Sequence, residues 1–454
     1  MKTRNIAAIA IIIIIVVAGV FGVWWAYYRP SGGVVRIAIL AESTPEALTF
    51  TASSILNEYK ASHPGIDFVV DILPRDQFAN LALREITQKT GRYDIITGSE
   101  NEIFEGRQNN AFYSLDNVQG VNAIDPSFLA QVRSDVISFC TNPATGKMDV
   151  LPITHWNSQC LFYRTDLFNN ATEQANFRAI YGYDLAPPQT WKQLQDIAQF
   201  FTRPPNLYGI WTTGGVGWAL VYGEFWTWMQ SMGGDVMSSN GTVTIDSAAW
   251  RTALEFQKNL TSYAPPNWQG SDWFTGLTLF EQGKIAMHEQ FYFPWANFFN
   301  SSDVAPQVLG NVGVIAPPMS PINESRGALT ATPAEEMPID APHPVEAANF
   351  LLWMQSYAVQ KEMALTGNLM LPIRADIDKD PSIDSVIHSS AIINMQNLAS
   401  YQLAPLAPFP FYPHITDSEP IIAEGYSNYM SGTWTLNQTI SFMQTQITSI
   451  VNGS

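Results

Sequence analysis

The chain has 454 residues, of which 46% are hydrophobic and only 14% charged, with a net charge of −17 at pH 7. This length exceeds what one hydrophobic core usually supports, so we expect two or three domains. The acidic balance argues against a nucleic-acid partner, because binding phosphates requires clustered Lys and Arg.

The first 29 residues have the composition of a membrane anchor. Lys2 and Arg4 precede the uncharged segment 6–23, which four aromatic residues follow between positions 24 and 28. An apolar helix of this length crosses about one hydrocarbon core, and aromatic residues are enriched at its interface. We expect an uncleaved transmembrane anchor that leaves the rest of the chain outside the cell. A cleaved signal peptide is the alternative.

Residues 34–97 alternate apolar runs with amphipathic segments. The runs at 34–40, 68–73 and 93–97 predict buried strands. Between them, an apolar stripe from Leu48 to Tyr59 predicts one helix, and Asp76 is placed to cap a second. This alternation predicts a mostly parallel sheet with helices on both faces.

Polar side chains follow two of these predicted strands. Glu42 and Ser43 come after the first strand, and Ser99 and Glu100 after the third. Ligands of such sheets bind outside the carboxyl ends of the strands. Both pairs are therefore candidate ligand contacts, with helix capping as the alternative.

A second region begins after residue 154. A strand at 160–164 runs into a turn, and Thr190 with Gln193 predicts a capped helix to residue 201. Asp246 or Ser247 is expected to cap the next helix. Further elements are a strand within 311–318, a helix at 344–355 and a helical tail at 419–451.

Two motif types fit a location outside the cell. Cys140 and Cys160 flank a turn and a strand, and there they can form a disulfide; two buried free thiols are the alternative. Seven Asn-x-Ser/Thr sequences are potential N-glycosylation sites, although chance produces some of them in a Ser/Thr-rich chain. They start at Asn170, Asn240, Asn259, Asn300, Asn323, Asn437 and Asn452.

The segment GKIAMHEQFYFPW (283–295) joins an acid to four aromatic rings at the exit of a predicted strand. A flat ring covers the apolar face of a sugar, and a carboxylate accepts hydrogen bonds from its hydroxyls. Trp295 or Tyr292 is therefore a candidate stacking platform and Glu289 a candidate hydroxyl acceptor, with core packing as the alternative for each ring. Trp211 and Trp218 lie beside a Gly-rich stretch and carry the same two interpretations.

Sequence motifs for other chemistry are absent. The chain has no GxxxxGK[ST], no GxSxG and no clustered His and Cys, so we expect neither a cofactor nor a metal. Paired acids are plentiful, however, and a glycosidase needs only two carboxylates at a set distance. An extracellular glycoside hydrolase therefore remains an alternative function.

The order of segments resembles the family 1 extracellular solute-binding proteins of ABC importers, the sugar-binding group related to maltose-binding protein. The stretches that carry the resemblance include YDIITGSENEIFEGRQNNAFYSLD, VLPITHWNSQCLFYRTDLF, PPQTWKQLQDIAQFF and LFEQGKIAMHEQFYFPW. Tyr163-Arg164-Thr165 departs from the family's usual Tyr-Asn-Lys, and the aromatic strand exit is longer than usual.

The resemblance implies an α/β, two-lobe, periplasmic-binding-protein-like fold of type II. Three crossovers are expected, near 154–158, 325–331 and 369–374. The first lobe would comprise 34–155 and 329–369, and the second 156–328 and 370–454.

The resemblance also implies a function and further contacts. We expect a monomeric, non-enzymatic receptor that captures a sugar between its lobes and delivers it to ABC permease subunits. Trp156, beside the first crossover, would face the cleft, and Asn368 precedes the third crossover. A same-fold receptor for a polyamine, a peptide or glycerol phosphate is the nearest alternative.

Overall fold

The structure is a computed structural model that describes most of the chain between residues 33 and 453. The described ranges are 33–43, 47–48, 51–98, 100–115, 118–121, 124–132, 134–152, 157–212, 224–238, 240–266, 268–271, 273–292, 294–295, 297–322, 325–331, 334–366, 373–377, 379–388, 390–391, 401–405 and 415–453. The predicted anchor, residues 1–29, lies outside them. No helix within these ranges is long and apolar enough to cross a bilayer.

The first sheet has the strand order β2-β1-β3-β10-β4. Its strands are β1 (Val35–Glu42), β2 (Ile66–Leu73), β3 (Ile95–Gly98), β4 (Val150–Leu151) and β10 (Ala334–Glu336). β1 pairs in parallel with β2 and β3, and β10 lies antiparallel between β3 and β4. The predicted parallel sheet is confirmed, and β10 is an addition that the sequence analysis missed.

Helices cover both faces of this sheet. They are α1 (Ser53–Ser62), α2 (Arg75–Gln88), α3 (Glu100–Gln108), α4 (Pro126–Leu129), α5 (Ser134–Cys140), α13 (Pro344–Met354) and α14 (Tyr357–Thr366). Two predictions were wrong in detail. Leu48 was expected in the apolar stripe of the first helix, but it precedes α1 and is 44% exposed. Asp76 was expected to cap the second helix, but the N-cap of α2 is Pro74.

The second sheet has the order β11-β9-β5-β7-β6, with β8 also paired to β5. Its strands are β5 (Asn157–Arg164), β6 (Tyr208–Ile210), β7 (Ile285–Phe291), β8 (Val312–Ile315), β9 (Arg326–Ala331) and β11 (Tyr401–Pro405). β7 lies inside the sheet, since β5 pairs with it on one side and β6 on the other. All seven of its residues are buried.

Ten helices described by the structure belong with the second sheet. They are α6 (Thr165–Phe168), α7 (Ala171–Tyr181), α8 (Trp191–Phe201), α9 (Glu224–Ser231), α10 (Ala248–Leu260), α11 (Trp273–Glu281), α12 (Asn297–Asn300), α15 (Pro381–Ile387), α16 (Ile415–Met430) and α17 (Leu436–Val451). Thr190 caps α8 as predicted, and Ser247 rather than Asp246 caps α10.

The two sheets define two lobes, each with its own buried core. We use lobe 1 for residues 33–152 and 334–376, and lobe 2 for 157–331 and 377–454. The second crossing falls at 332–333, between β9 and β10, just after the expected 325–331. Near the third crossing, Ile373 packs in the lobe 1 core and Ile377 in the lobe 2 core.

The disulfide prediction was wrong. Cys140 and Cys160 are both buried free thiols. Cys140 packs in the core of lobe 1 and Cys160 in the core of lobe 2, because the first crossing separates them. Two buried free thiols, the alternative interpretation, describe the structure.

Candidate ligand cleft between the two sheets

The first crossing leaves lobe 1, and the second re-enters it, at one edge of its sheet. β1, β3 and β4 run in the same direction and end at this edge, and β10 begins there because Ala334 pairs with Gly98. The polar pairs that follow β1 and β3 are therefore brought to the edge from which the chain crosses to lobe 2. This is the edge of an open α/β sheet at which ligands bind.

The crossings reach lobe 2 at an equally well-defined edge. β5 begins there and β9 ends there, since Asn157 pairs with Ala331. β7 runs antiparallel to β5, so its carboxyl end with Glu289 and Phe291 lies at the same edge. β6 is parallel to β7 and delivers Trp211 towards that side.

Chain length holds the two edges close together. Residue 331 of β9 and residue 334 of β10 are three peptide units apart, which span at most about 11 Å when fully extended. The lobes also touch directly, because Phe104 of α3 and Ala364 of α14 are buried in the lobe 2 core. The topology thus brings described strand ends of both lobes to two edges joined by short crossings.

Four predicted contacts cannot be described. Ser99, Trp156, Trp218 and Asn368 lie outside the described residues. In the sequence, Trp156 immediately precedes β5. Their part in binding stays a prediction.

The remaining lobe 1 candidates lie at the end of β1 and the start of α3. Glu42 is half-buried and Ser43 is exposed, and the Ser43 N–H donates to the Leu73 carbonyl at 2.7 Å. Glu100 begins α3, directly after the end of β3. Their backbone positions fit a ligand at this edge.

Glu289 lies near the carboxyl end of β7 and is only 2% exposed. It pairs with Leu161 across the strands. Burial, with Glu289 as the second cause, raises the pKa of the Cys160 thiol well above its usual value. The acid therefore sits at the predicted edge but below the surface in this conformation.

The aromatic residues after β7 are also covered. Tyr292 is 1% and Trp295 5% exposed. The Trp295 ring stacks over Phe162 with centroids 6.0 Å apart, and its indole N–H donates to the His388 carbonyl at 3.1 Å. These contacts are what core packing, the alternative interpretation, predicts for Trp295.

Trp211 follows β6 and is 1% exposed. A Cβ atom on Gly276 of α11 would lie 2.5 Å from the Trp211 ring, so the helix backbone rests directly against the indole. Trp211 is thus part of the lobe 2 core in this conformation, and its role in binding also stays a prediction.

Two buried polar pairs near the lobe 2 edge were not predicted from the sequence. Thr227 of α9 donates its hydroxyl proton to the side-chain oxygen of Gln159, near the start of β5. The Gln257 amide donates to the Thr212 hydroxyl at 3.2 Å, two residues after β6. The detectable signal was a polar residue at a buried strand position, Gln159 in NSQCLFY.

Metal chemistry receives no support from the described part of the chain. No group of three or more His, Cys, Asp or Glu side chains there is arranged to hold a metal ion. The chemistry that the two edges offer is hydrogen bonding from polar strand ends, with aromatic rings buried beneath the lobe 2 edge. That combination suits a neutral polyhydroxylated ligand.

Sequence comparison identifies a family over most of the chain. Residues 42–361 match the model of the bacterial extracellular solute-binding proteins. No curated protein sequence matches the chain.

Solved structures share the complete fold. A solute-binding protein from Agrobacterium radiobacter K84 in complex with ribitol has 20% identity and a TM-score of 0.75, covering 92% of this chain and 99% of its own. One from Agrobacterium vitis S4 with bound D-mannitol has 19% identity and a TM-score of 0.76, covering 92% and 98%. Maltose-bound MalE3 of T. maritima has 18% identity and a TM-score of 0.72, covering 91% and 99%.

Proposed function

We propose, from the premise that this chain belongs to the bacterial extracellular solute-binding proteins, that it captures a sugar or sugar alcohol between its lobes and delivers it to an ABC permease. The observation that carries the proposal is the convergence of polar and aromatic strand ends on two edges joined by short crossings. Three similar structures hold ribitol, mannitol and maltose, which are all polyhydroxylated and neutral.

The proposed mechanism is capture by closure, without covalent chemistry. Binding favours a closed arrangement of the lobes, and closure removes water from the hydrogen bonds to the hydroxyl groups. We propose that Glu42, Ser43, Ser99, Glu100 and Asn368 offer polar groups and that Trp156 and Trp218 offer ring surface. Four buried residues would act from below, or reach the ligand after a side-chain rearrangement: Trp211, Glu289, Tyr292 and Trp295.

We further propose that residues 1–29 tether the protein to the outer face of the cell membrane. The uncharged segment 6–23 between a basic flank and aromatic residues supports this location. A product that lacks residues 1–32 should leave the membrane fraction. If the chain is expressed at full length and is released from the cells without those residues, they are a cleaved signal peptide instead.

A ligand screen on residues 33–454 tests the function. A ligand that binds only the native state raises the melting temperature, so pentitols, hexitols and malto-oligosaccharides should include at least one that does so. The same mixtures are assayed for new reducing ends. Stabilisation without reducing-end release supports the receptor, whereas release supports the glycoside hydrolase, and stabilisation only by polyamines or peptides would contradict sugar capture.

Trp156→Phe and Trp156→Ala sharpen the screen. Loss of stacking should weaken sugar binding about fivefold in the Ala variant and much less in the Phe variant, because a ring pair contributes about 1 kcal/mol beyond burial. Calorimetric affinities that are equal for the wild type and Trp156→Ala would remove this residue from the site.

A further inference from the structure

All seven Asn-x-Ser/Thr sequences fall in lobe 2. The chain crosses between the lobes three times, so this grouping is visible only once the fold assigns residues 157–331 and 377–454 to one body. Lobe 1 has none. The asparagines concerned are Asn170, Asn240, Asn259, Asn300, Asn323, Asn437 and Asn452.

The abundance of asparagine does not explain the grouping. Lobe 1 contains 10 Asn in 163 residues and lobe 2 contains 17 in 253, which is nearly the same frequency. Ser and Thr make up 42 residues of lobe 2, so its 17 asparagines would give about three such sequences by chance, against seven observed.

Charged residues, in contrast, are more frequent in lobe 1 than in lobe 2. Lobe 1 has 32 charged residues in 163, whereas lobe 2 has 28 in 253. Soluble surfaces normally carry roughly a quarter to a third charged residues, which keep them hydrated and apart. The lobe that lacks this charge is the lobe that holds every potential glycan site.

The side chains are also placed for modification. All six of these asparagines that the structure describes are exposed. The side chains of Asn170, Asn240 and Asn437 accept hydrogen bonds through the oxygen Oδ1 only. The nitrogen Nδ2, to which a glycan is attached, can therefore be substituted without losing them.

Asn300 differs from these three. Its Nδ2 donates to the Val386 carbonyl at 3.0 Å, which links α12 to α15. Attachment of a glycan there would compete with this contact. We therefore expect lower occupancy at Asn300.

We propose that lobe 2 is N-glycosylated at these asparagines and that lobe 1 is not, so that glycans supply the surface hydration that charge supplies on lobe 1. The proposal rests on the extracellular location in the proposed function. The donor is an oligosaccharide linked to a lipid through pyrophosphate. Nδ2 gives up one proton and bonds to the anomeric carbon, and the lipid pyrophosphate leaves with the electrons of the broken carbon–oxygen bond.

The test is mass spectrometry of the full chain purified from its native cells. We expect glycan-bearing peptides from lobe 2, with the least occupancy at Asn300, and unmodified peptides throughout lobe 1. A native chain whose peptides containing these seven asparagines are all unmodified overturns the proposal, and so does a glycan on a lobe 1 asparagine.

Thr242 gives a matched pair of variants. It is exposed, and its hydrogen bonds to Ser238 and Asn240 use only its backbone, so its hydroxyl can be changed without disturbing the turn. Expressed in the native cells, Thr242→Ala should lose the glycan at Asn240 and Thr242→Ser should keep it. A glycan that survives in Thr242→Ala contradicts the assignment.

These outcomes are separable from the proposed function. An unmodified chain that binds sugar removes only the glycan proposal. A glycosylated chain that no sugar stabilises removes only the sugar-receptor proposal.

Discussion

Lobe 1 and lobe 2 share one architecture but are held together by different chemistry. Lobe 1 buries both members of an ion pair: Arg107 and Asp149 pair at 2.6 Å with both side chains 8% exposed. Lobe 2 buries rings, including Trp211, Trp228 and Trp250, each at most 1% exposed. Two halves with the same sheet-and-helix plan should therefore fail under different perturbations.

The contrast extends to one buried titratable group in each lobe. Glu336 of lobe 1 is 0% exposed, and neither carboxyl oxygen has a hydrogen-bond partner among the described residues. His288 of lobe 2 is also 0% exposed, and neither ring nitrogen has such a partner there. Burial favours the neutral form of each group, which has opposite consequences for an acid and a base.

The largest expected effect comes from breaking the buried ion pair of lobe 1. Arg107→Ala removes three hydrogen-bonded contacts to Asp149 and one to the Phe139 carbonyl, and it leaves Asp149 buried without its cation. We expect a loss of about 3–5 kcal/mol in the free energy of unfolding, measured by urea denaturation.

The matched control is the exposed ion pair of lobe 2. Arg203 donates to Glu173 from both terminal guanidinium nitrogens, Nη1 and Nη2, but its side chain is 45% exposed. Arg203→Ala should cost about 1 kcal/mol or less. Equal losses in the two variants would contradict the view that lobe 1 depends on buried charge.

An intermediate effect is expected from overpacking the rings of lobe 2. Gly276→Ala drives a Cβ atom into the Trp211 indole, which the surrounding core fixes. We expect a loss of about 1–3 kcal/mol and a shift in tryptophan fluorescence. Gly65→Ala is the control, because a Cβ there meets nothing within 4 Å, and it should change stability by about 0.5 kcal/mol or less.

Acid should weaken lobe 2 through His288. Burial lowers the pKa of His288 to about 3. The unfolded chain takes up this proton near pH 6.5 and the folded chain does not, so lobe 2 loses stability as the pH falls below about 6.5, by about 2 kcal/mol at pH 5. Hydrogen exchange of lobe 2 peptides should show this loss in the wild type and not in His288→Leu.

Alkali should weaken lobe 1 through Glu336. Burial, followed by the nearby Glu102, raises the pKa of Glu336 well above its usual value. The folded chain keeps this proton and the unfolded chain releases it, so lobe 1 loses stability as the pH rises above about 4.5. Lobe 1 peptides should lose protection over that range in the wild type and keep it in Glu336→Gln. The same pH slope in both lobes would contradict the comparison.

The sequence predicted those parts of the fold that local patterns determine. A continuous apolar run marked β1, and Thr190 marked the start of α8, because burial on two faces and helix capping leave local signals. β2 was also predicted as a buried strand, but it is an edge strand with no fully buried residue. β10 escaped prediction because its sequence is Ala-Glu-Glu, and only pairing with β3 and β4 makes those residues a strand.

The sheet edge that carries the lobe 1 candidates was predictable, but the exposure of the candidate side chains was not. The alternation of strands and helices in the sequence anticipates that β1 and β3 end at one edge of a parallel sheet. It could not show that Glu289 lies below the surface, because β7 is buried on both faces and alternation then carries no signal. Nor could it show that Cys140 and Cys160 pack in different lobes, which depends on where the chain crosses.

The most direct test of the central claim is small-angle X-ray scattering of residues 33–454 with and without the sugar that raises the melting temperature most. If the two sheet edges close on the ligand, the radius of gyration should fall on saturation, and the free chain should populate a more open form. A radius of gyration that stays the same when calorimetry shows the sugar to be bound would contradict closure between the lobes.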